Sequence, residues 1–201
     1  MRHILKLLAF PLLFLFLGCS TTAPAISEYR ISTDLTTKVF TQSGCKKESL
    51  KIAQAFSSSD LMTQSMSYGQ GSFKQFRFSQ AQWAQSPNRA ITSELLSYIT
   101  AINLFKNVQI SKSRSKTGFL LETNIEDFMQ YFSEDEKESY VKIVISLTLI
   151  DTQANSVLHS TSLSKQVKVN SVNAEGGVRA LNQALNEVVV ESGEWLGGIC
   201  K

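Results

Sequence analysis

Three strand-like segments follow one another without an intervening helix, and this run constrains the fold more than any other feature. Residues 119–132, 140–150 and 157–169 are rich in β-branched residues or alternate apolar with polar side chains, which is typical of strands with one buried face. The loop 151–155 is short enough for a hairpin, and the acidic loop 133–139 joins the first two segments. The pattern predicts an antiparallel meander.

Two amphipathic helices are predicted on either side of this meander. Ser86 followed by Pro87 is a typical helix start, with a hydroxyl N-cap and a proline in the first turn. The second helix is predicted to begin near Asn173, and Ser192 and Gly193 are expected to interrupt it. Apolar residues recur at spacings of three and four in both segments. They are Ile91, Leu95, Tyr98, Ile99, Ile102 and Phe105 in the first, and Val178, Leu181, Leu185, Val188 and Val189 in the second.

Two further strands are predicted before the first helix. Residues 50–56 alternate apolar and polar side chains, and a short strand is expected to lead from Phe73 toward Trp83. The order is therefore strand, strand, helix, three strands, helix. We expect an α+β fold, with a mainly antiparallel sheet of about five strands and two amphipathic helices on one face.

The N-terminus has the organisation of a secretory signal peptide. Arg2 and Lys6 flank the start of an apolar run of about 11 residues, which is too short to cross a bilayer as a helix, since that takes about 20 residues. Gly18 directly before Cys19 is similar to the lipobox of bacterial lipoproteins, in which the cysteine is acylated and becomes the N-terminus. We predict a signal peptide over 1–18, a lipidated tether over 19–28 and a single domain over 29–201.

The predicted anchor determines where the protein would work. Two or more acyl chains on Cys19 hold a protein stably on a bilayer, and Ser20 after the cysteine, by resemblance to known lipoproteins, indicates the outer membrane. We expect the periplasmic face of that membrane. The alternative is an ordinary secreted protein in which Cys19 has no special role.

Charge and cysteine content exclude several classes of function. Removing the signal peptide takes away Arg2 and Lys6, which reduces 20 basic residues to 18 against 17 acidic ones, so nucleic-acid binding is not expected. Cys45 and Cys200 are then the thiols of the folded domain in an oxidising compartment, and a disulfide between them is predicted. The alternative is two buried free thiols. Two distant cysteines without a CxxC motif predict no metal site, and no cofactor is expected.

The search for catalytic groups finds little. His159 is the one histidine left after signal removal, and it lies in a strand pattern without a neighbouring nucleophile or carboxylate motif. The sequence has no GxSxG, HExxH or Walker motif, so we expect a protein that is not an enzyme.

Two side-chain groups are candidates for binding instead. Phe128, Met129, Tyr131 and Phe132 form a dense apolar group, and strand alternation would turn some of them outside the core, toward a partner or lipid. The segment 112–116 places three basic side chains between serines, either as a solvated turn or as a contact for anionic headgroups.

The order of these features resembles one protein family. A lipobox, an aromatic stretch leading to Trp83-Ala84-Gln85-Ser86-Pro87, an amphipathic helix and a strand through 125–128 are similar to the ABC-type transport auxiliary lipoproteins (PqiC-like). The resemblance implies a noncatalytic outer-membrane lipoprotein that serves an MCE-domain lipid carrier and an ABC transporter in moving phospholipid between membranes. It also implies a homo-oligomer as one state, because some members assemble into rings.

Two other functions remain open at this stage. An assembly lipoprotein that supports an outer-membrane β-barrel or lipopolysaccharide insertion would carry the same anchor and no active site. A hydrolase acting on envelope lipid or peptidoglycan would depend on His159 or an acidic residue.

Overall fold

The computed structural model describes residues 24–34 and 39–201. The predicted signal peptide and Cys19 lie outside the described residues. Nine strands and two α-helices follow in the order listed here, with a short 3₁₀ turn at Ser59–Met62 between the third and fourth strands. They are β1 (Ser27–Tyr29), β2 (Ser49–Ile52), β3 (Phe56–Ser57), β4 (Ser65–Gln70), β5 (Lys74–Trp83), α1 (Pro87–Ala101), β6 (Asn107–Ile110), β7 (Phe119–Phe132), β8 (Ser139–Asp151), β9 (Ser156–Lys168) and α2 (Ala174–Ile199).

The central strand of the sheet is β7. One edge pairs along its whole length with β8, which pairs in turn with β9, so the predicted antiparallel meander is present. The other edge of β7 is shared by β2, β3 and β4, and all three run parallel to it. The parallel pairs β1·β5 and β2·β6 and the antiparallel pair β4·β5 complete the sheet.

The α+β class is confirmed, but the expected sheet of about five mainly antiparallel strands is wrong. The sheet is mixed and has nine strands in the described part of the chain. The additional strands are β1, β3, β4 and β6, which have two to six residues each. Segments this short hold too few residues to show a period. β3 and β4 are placed by the edge of β7, β1 by β5 and β6 by β2.

The strand predicted over 50–56 is divided in two. The chain leaves the ladder between β2 and β3, where the backbone N–H of Ala55 donates to Thr92 Oγ1 on α1 at 2.9 Å. The alternation changes phase at this point, so Phe56 is exposed while Ser57 is buried.

Both helices cover the same face of the sheet, and all the residues of the two predicted stripes are buried. The expected interruption of α2 at Ser192 and Gly193 is wrong, because α2 is continuous to Ile199. These small residues instead allow α2 to approach α1 closely. A Cβ atom on Gly193 would lie 2.5 Å from the Tyr98 ring.

The sheet has two distinct ends, which we name from their contents. At the hairpin end lie the β4–β5 turn, the acidic loop 133–138 and the start of α2. At the disulfide end lie Cys45, Cys200, the basic loop 111–118 and the β8–β9 loop. The 14 residues of β7 run between them, which at about 3.3 Å per residue separates the two ends by roughly 40 Å.

Candidate functional site

The four predicted contact residues do not form one surface, because a β-bulge in β7 changes which side chains face the helices. The bulge lies between Ile125 and Asp127, so Glu126 has no opposite residue on β8. Before the bulge odd-numbered residues are buried beneath the helices, and after it Phe128 takes that orientation. Phe128 is 3% exposed and its ring centroid lies 5.8 Å from that of Trp83. The prediction of Phe128 as a contact residue is therefore wrong, since it belongs to the core.

Met129 and Tyr131 lie on the opposite, open face of the sheet and are partly exposed. The Tyr131 hydroxyl donates to Asp127 Oδ2 at 2.8 Å, and the Tyr131 ring stacks on Tyr140 with centroids 5.2 Å apart. Lys142 Nζ lies 3.2 Å from the same Asp127 oxygen. Burial, followed by the hydrogen bond to Asp127, raises the pKa of Tyr131 above its usual value. This tyrosine therefore stays neutral at physiological pH.

Gly69 on β4 makes room for this tyrosine pair. Gly69 lies beside Tyr131 in the parallel β4·β7 ladder, and a Cβ atom there would come within 2.6 Å of Tyr131 Cδ1. The Tyr131 ring therefore occupies the space that a side chain at position 69 would need.

Phe132 belongs to an aromatic cluster at the hairpin end, on the same side of the sheet as the helices. We name this group the end cluster: Tyr68, Phe76, Phe78 and Phe132. Tyr68 is its centre, with centroid distances of 4.6 Å to Phe78, 5.1 Å to Phe132 and 5.5 Å to Phe76. The members are partly exposed, and Phe76 has the highest exposure at 42%. The cluster forms an apolar surface at the margin of the sheet.

The end cluster continues into the β4–β5 turn, where Phe73 is 99% exposed. The turn contains Gly71, Ser72 and Phe73, and Gly71 has a φ of 59°, a conformation that glycine adopts without strain. Sequence reasoning used these phenylalanines only as a strand pattern and missed the surface. The available signal was the density of aromatic residues next to a Gly-Gln-Gly turn.

A solvent-open cleft of about 570 Å³ lies beside this turn. Tyr131, Tyr140 and Gly71 contribute to its walls, and Glu138 and Lys168 form an ion pair of 3.4 Å at its rim. It combines aromatic walls with a charged rim, an arrangement suited to contact with another molecule.

The remaining predicted residues are distributed over the chain. Cys45 and Cys200 are joined in a disulfide with Cα atoms 5.2 Å apart, and both are buried. His159 is exposed on β9, opposite Leu149. No group of three or more potential metal ligands occurs in residues 24–34 and 39–201. Within the same ranges, no helix combines the length and the apolar character needed to cross a membrane.

The basic loop is at the wrong end of the molecule for a headgroup contact near the tether. Residues 111–118 lie at the disulfide end, whereas β1, the strand nearest the predicted anchor, runs parallel to β5 and is entered from the side of the hairpin end. With the anchor predicted at Cys19, this placement favours the solvated-turn interpretation of the loop.

Comparison with known proteins gives a match in structure but none in sequence. No family model and no curated protein matches the chain. Protein XCC0632 from Xanthomonas campestris, described with the family model DUF330, matches with a TM-score of 0.75 and 13% identity, over 85% of this chain and 94% of that one. This chain shares the fold of the DUF330 protein. A second crystal structure, of an uncharacterized protein, matches with a TM-score of 0.67 and 12% identity, over 86% of this chain and 99% of that one.

The similarity to the DUF330 protein covers 85% of this chain, so it concerns the fold as a whole. At this level of identity the likeness establishes the architecture, and the function is argued from the residues of this chain.

Proposed function

We propose that this chain is a noncatalytic lipoprotein, anchored by Cys19 to the periplasmic face of the outer membrane, that serves an ABC/MCE-type intermembrane lipid transport system. The observation that carries the proposal is the DUF330 fold, which agrees at a coarse level with the resemblance of the sequence to the ABC-type transport auxiliary lipoproteins. The fold and the sequence pattern each support an auxiliary lipoprotein.

The position of the N-terminal strand supports the anchor part of the proposal. β1, the first strand of the described chain, begins at Ser27, eight residues after Cys19. Eight residues span at most about 29 Å, so acyl chains on Cys19 would hold the domain near the bilayer. The tether is too short to let the domain reach across the periplasm.

The chemistry of the surfaces supports a binding role. The surface includes the aromatic side chains of the end cluster and charge pairs such as Asp127–Lys142. Surfaces of this composition make contacts with proteins or lipids. The proposed partners are an MCE-domain carrier and its ABC transporter.

Affinity capture from membranes tests this function. The full chain with Cys19 intact and a tag after the exposed Lys201 is isolated in mild detergent, and co-purifying proteins and lipids are identified by mass spectrometry. An MCE-domain protein with bound phospholipid supports the proposal. Capture of an outer-membrane β-barrel in its place would overturn it in favour of an assembly lipoprotein.

Two controls make the capture specific. The Cys19→Ala variant removes the proposed acylation site, so we expect it to lose both the outer-membrane location and the partner. A Phe56→Ser variant changes an exposed side chain that is 69% accessible and distant from the end cluster, so it should capture the same partner as the unmodified chain.

A further inference from the structure

We propose that the β4–β5 turn is a membrane-contacting wedge: Phe73 inserts into the phospholipid surface that holds the Cys19 anchor, and the end cluster beneath it supports the insertion. The proposal rests on the lipid anchor of the proposed function and is independent of which transport proteins bind the domain. The occupant of this apolar surface is a bilayer.

The β4–β5 turn is exposed to solvent. Phe73 is 99% exposed at its apex, and Phe76 is 42% exposed just behind it. Exposed single apolar residues are common on protein surfaces, but this one continues into the four partly exposed rings of the end cluster. A contiguous apolar surface of this kind marks a contact with lipid or protein.

Hydrogen bonds hold the β4–β5 turn in place. The backbone N–H of Gly71 donates to the Phe132 carbonyl at 3.2 Å, which joins the turn to the end of β7. Gln70 Nε2 donates to Glu136 Oε1 at 3.0 Å and to the Glu134 carbonyl at 3.3 Å. Phe73 therefore projects from a braced support, so its insertion costs little ordering entropy.

The placement of β1 indicates a bilayer as the occupant. β1 runs parallel to β5 with Ser27 opposite Ala81 and Tyr29 opposite Trp83, so the chain enters β1 from the side of the β4–β5 turn. Phe73 precedes Ala81 by eight residues, about 26 Å of strand, and Cys19 precedes Ser27 by eight residues, which span at most about 29 Å. The tether is therefore long enough for the Cys19 anchor and Phe73 to contact the same membrane surface.

The charges around the wedge limit how it binds. Lys74 follows Phe73 directly and its long side chain can extend to the headgroups. The neighbouring loop 133–138 contains four acidic residues and one lysine, and it lies at the same end of the sheet. These carboxylates oppose attraction to anionic lipid. The binding is therefore apolar and does not require an anionic membrane.

Depth-dependent fluorescence quenching tests the wedge directly. The mature chain is joined through Cys19 to a maleimide phospholipid in phosphatidylcholine vesicles, with Phe73→Trp as the probe, so the readout does not depend on acylation in the cell. We expect brominated phosphatidylcholine to quench this tryptophan and its emission to shift to the blue.

Val157→Trp is the matched control. Val157 is 61% exposed and lies at the disulfide end, roughly 40 Å away along the strands. A tryptophan there should emit as in water and remain unquenched, and the unmodified chain corrects for Trp83 and Trp195. If Phe73→Trp behaves like Val157→Trp, the wedge does not contact lipid and the proposal is overturned.

A binding measurement separates the wedge from the anchor. For the mature chain carrying Cys19→Ser, Phe73→Ser should weaken partitioning onto phosphatidylcholine vesicles about tenfold or more, whereas Val157→Ser should leave it unchanged. Partitioning that needs anionic lipid, or a Phe73-dependent dimer in solution in place of vesicle binding, would contradict the inference. If the affinity capture finds no MCE-domain protein but brominated lipid still quenches Phe73→Trp, only the proposed transport role is overturned.

Discussion

Replacing Phe128 by alanine is the sharpest test of the way β7 is built. Without the bulge at Glu126, strand alternation would turn Phe128 to the open face of the sheet. Truncating Phe128 there would cost little stability. With the bulge, Phe128 is 3% exposed and packs against Trp83 beneath α1. The two arrangements therefore predict very different stabilities for one variant.

The expected magnitude follows from this burial. Truncating a buried phenylalanine to alanine costs about 3–5 kcal/mol, because transfer free energy is lost and a cavity remains. For a domain of this size each kcal/mol corresponds to about 2–4 °C in the melting temperature, so Phe128→Ala should lower it by about 6–20 °C. Met129→Ala is the matched control on the half-exposed open face, with an expected cost of about 1 kcal/mol.

Urea unfolding followed by far-UV circular dichroism gives the free energies, and this signal is insensitive to local changes around Trp83. Both variants are measured with the Cys45–Cys200 disulfide intact, so the unfolded state is the same. If Phe128→Ala and Met129→Ala agree within about 0.5 kcal/mol, or if Met129→Ala costs more, the bulge does not orient Phe128 as described.

Three further predictions concern the helices, the disulfide and the tyrosine pair. Gly193→Val should cost about 1–3 kcal/mol because the added side chain meets α1, whereas Gly198→Ala, with nothing within 4 Å of its Cβ position, should leave or raise the melting temperature. Reducing the Cys45–Cys200 disulfide opens a loop of 155 residues and should lower the free energy of unfolding by up to about 5 kcal/mol, measured with and without reductant. The raised pKa of Tyr131 stabilises the fold below the tyrosine pKa of the unfolded chain, so stability should fall as the pH rises above about 10, and Tyr131→Phe should reduce this loss in an alkaline unfolding series.

The sequence predicted the parts of the fold in which one period persists over many residues. The strands 119–132, 140–150 and 157–169 and both helical stripes are long enough for alternation or helical spacing to exceed chance. The structure keeps the three strands within one residue of the expected bounds. The first helix is shorter than predicted, because α1 ends at Ala101 and Phe105 of its stripe lies beyond it. Their packing is also as predicted, with both helices over one face.

The features that sequence reasoning missed depend on contacts between distant segments. A bulge adds one residue, and nothing in Ile125-Glu126-Asp127 distinguishes it from continued alternation, so the sequence did not show that Phe128, one of the four predicted contact residues, belongs to the core. Gly193 is a helix breaker by local propensity, but here it serves the close packing of α2 on the Tyr98 ring. Tertiary packing therefore outweighs local propensity at both positions.

The candidate surface was missed in part for the same reason. Phe132 was identified, but its partners Tyr68, Phe76 and Phe78 come from β4 and β5. The pairing of β4 with β7 is parallel and very short. No local sequence pattern therefore predicts that the rings from β4 and β5 contact Phe132. The aromatic surface forms only when β4 pairs with β7 and β5 pairs with β4.

The hairpin end and the disulfide end would have different positions relative to the membrane. Under the proposed function, the anchor and Phe73 hold the hairpin end at the membrane, and strands β7 to β9 carry the disulfide end roughly 40 Å into the periplasm. The disulfide joins the last turn of α2 to the start of the domain at that far end, where the basic loop 111–118 is exposed. Under the same proposal, a carrier arriving from the inner membrane would meet this end first. We therefore expect a photo-cross-linker at Arg114 to capture the MCE-domain protein, and one at Phe73 to capture lipid.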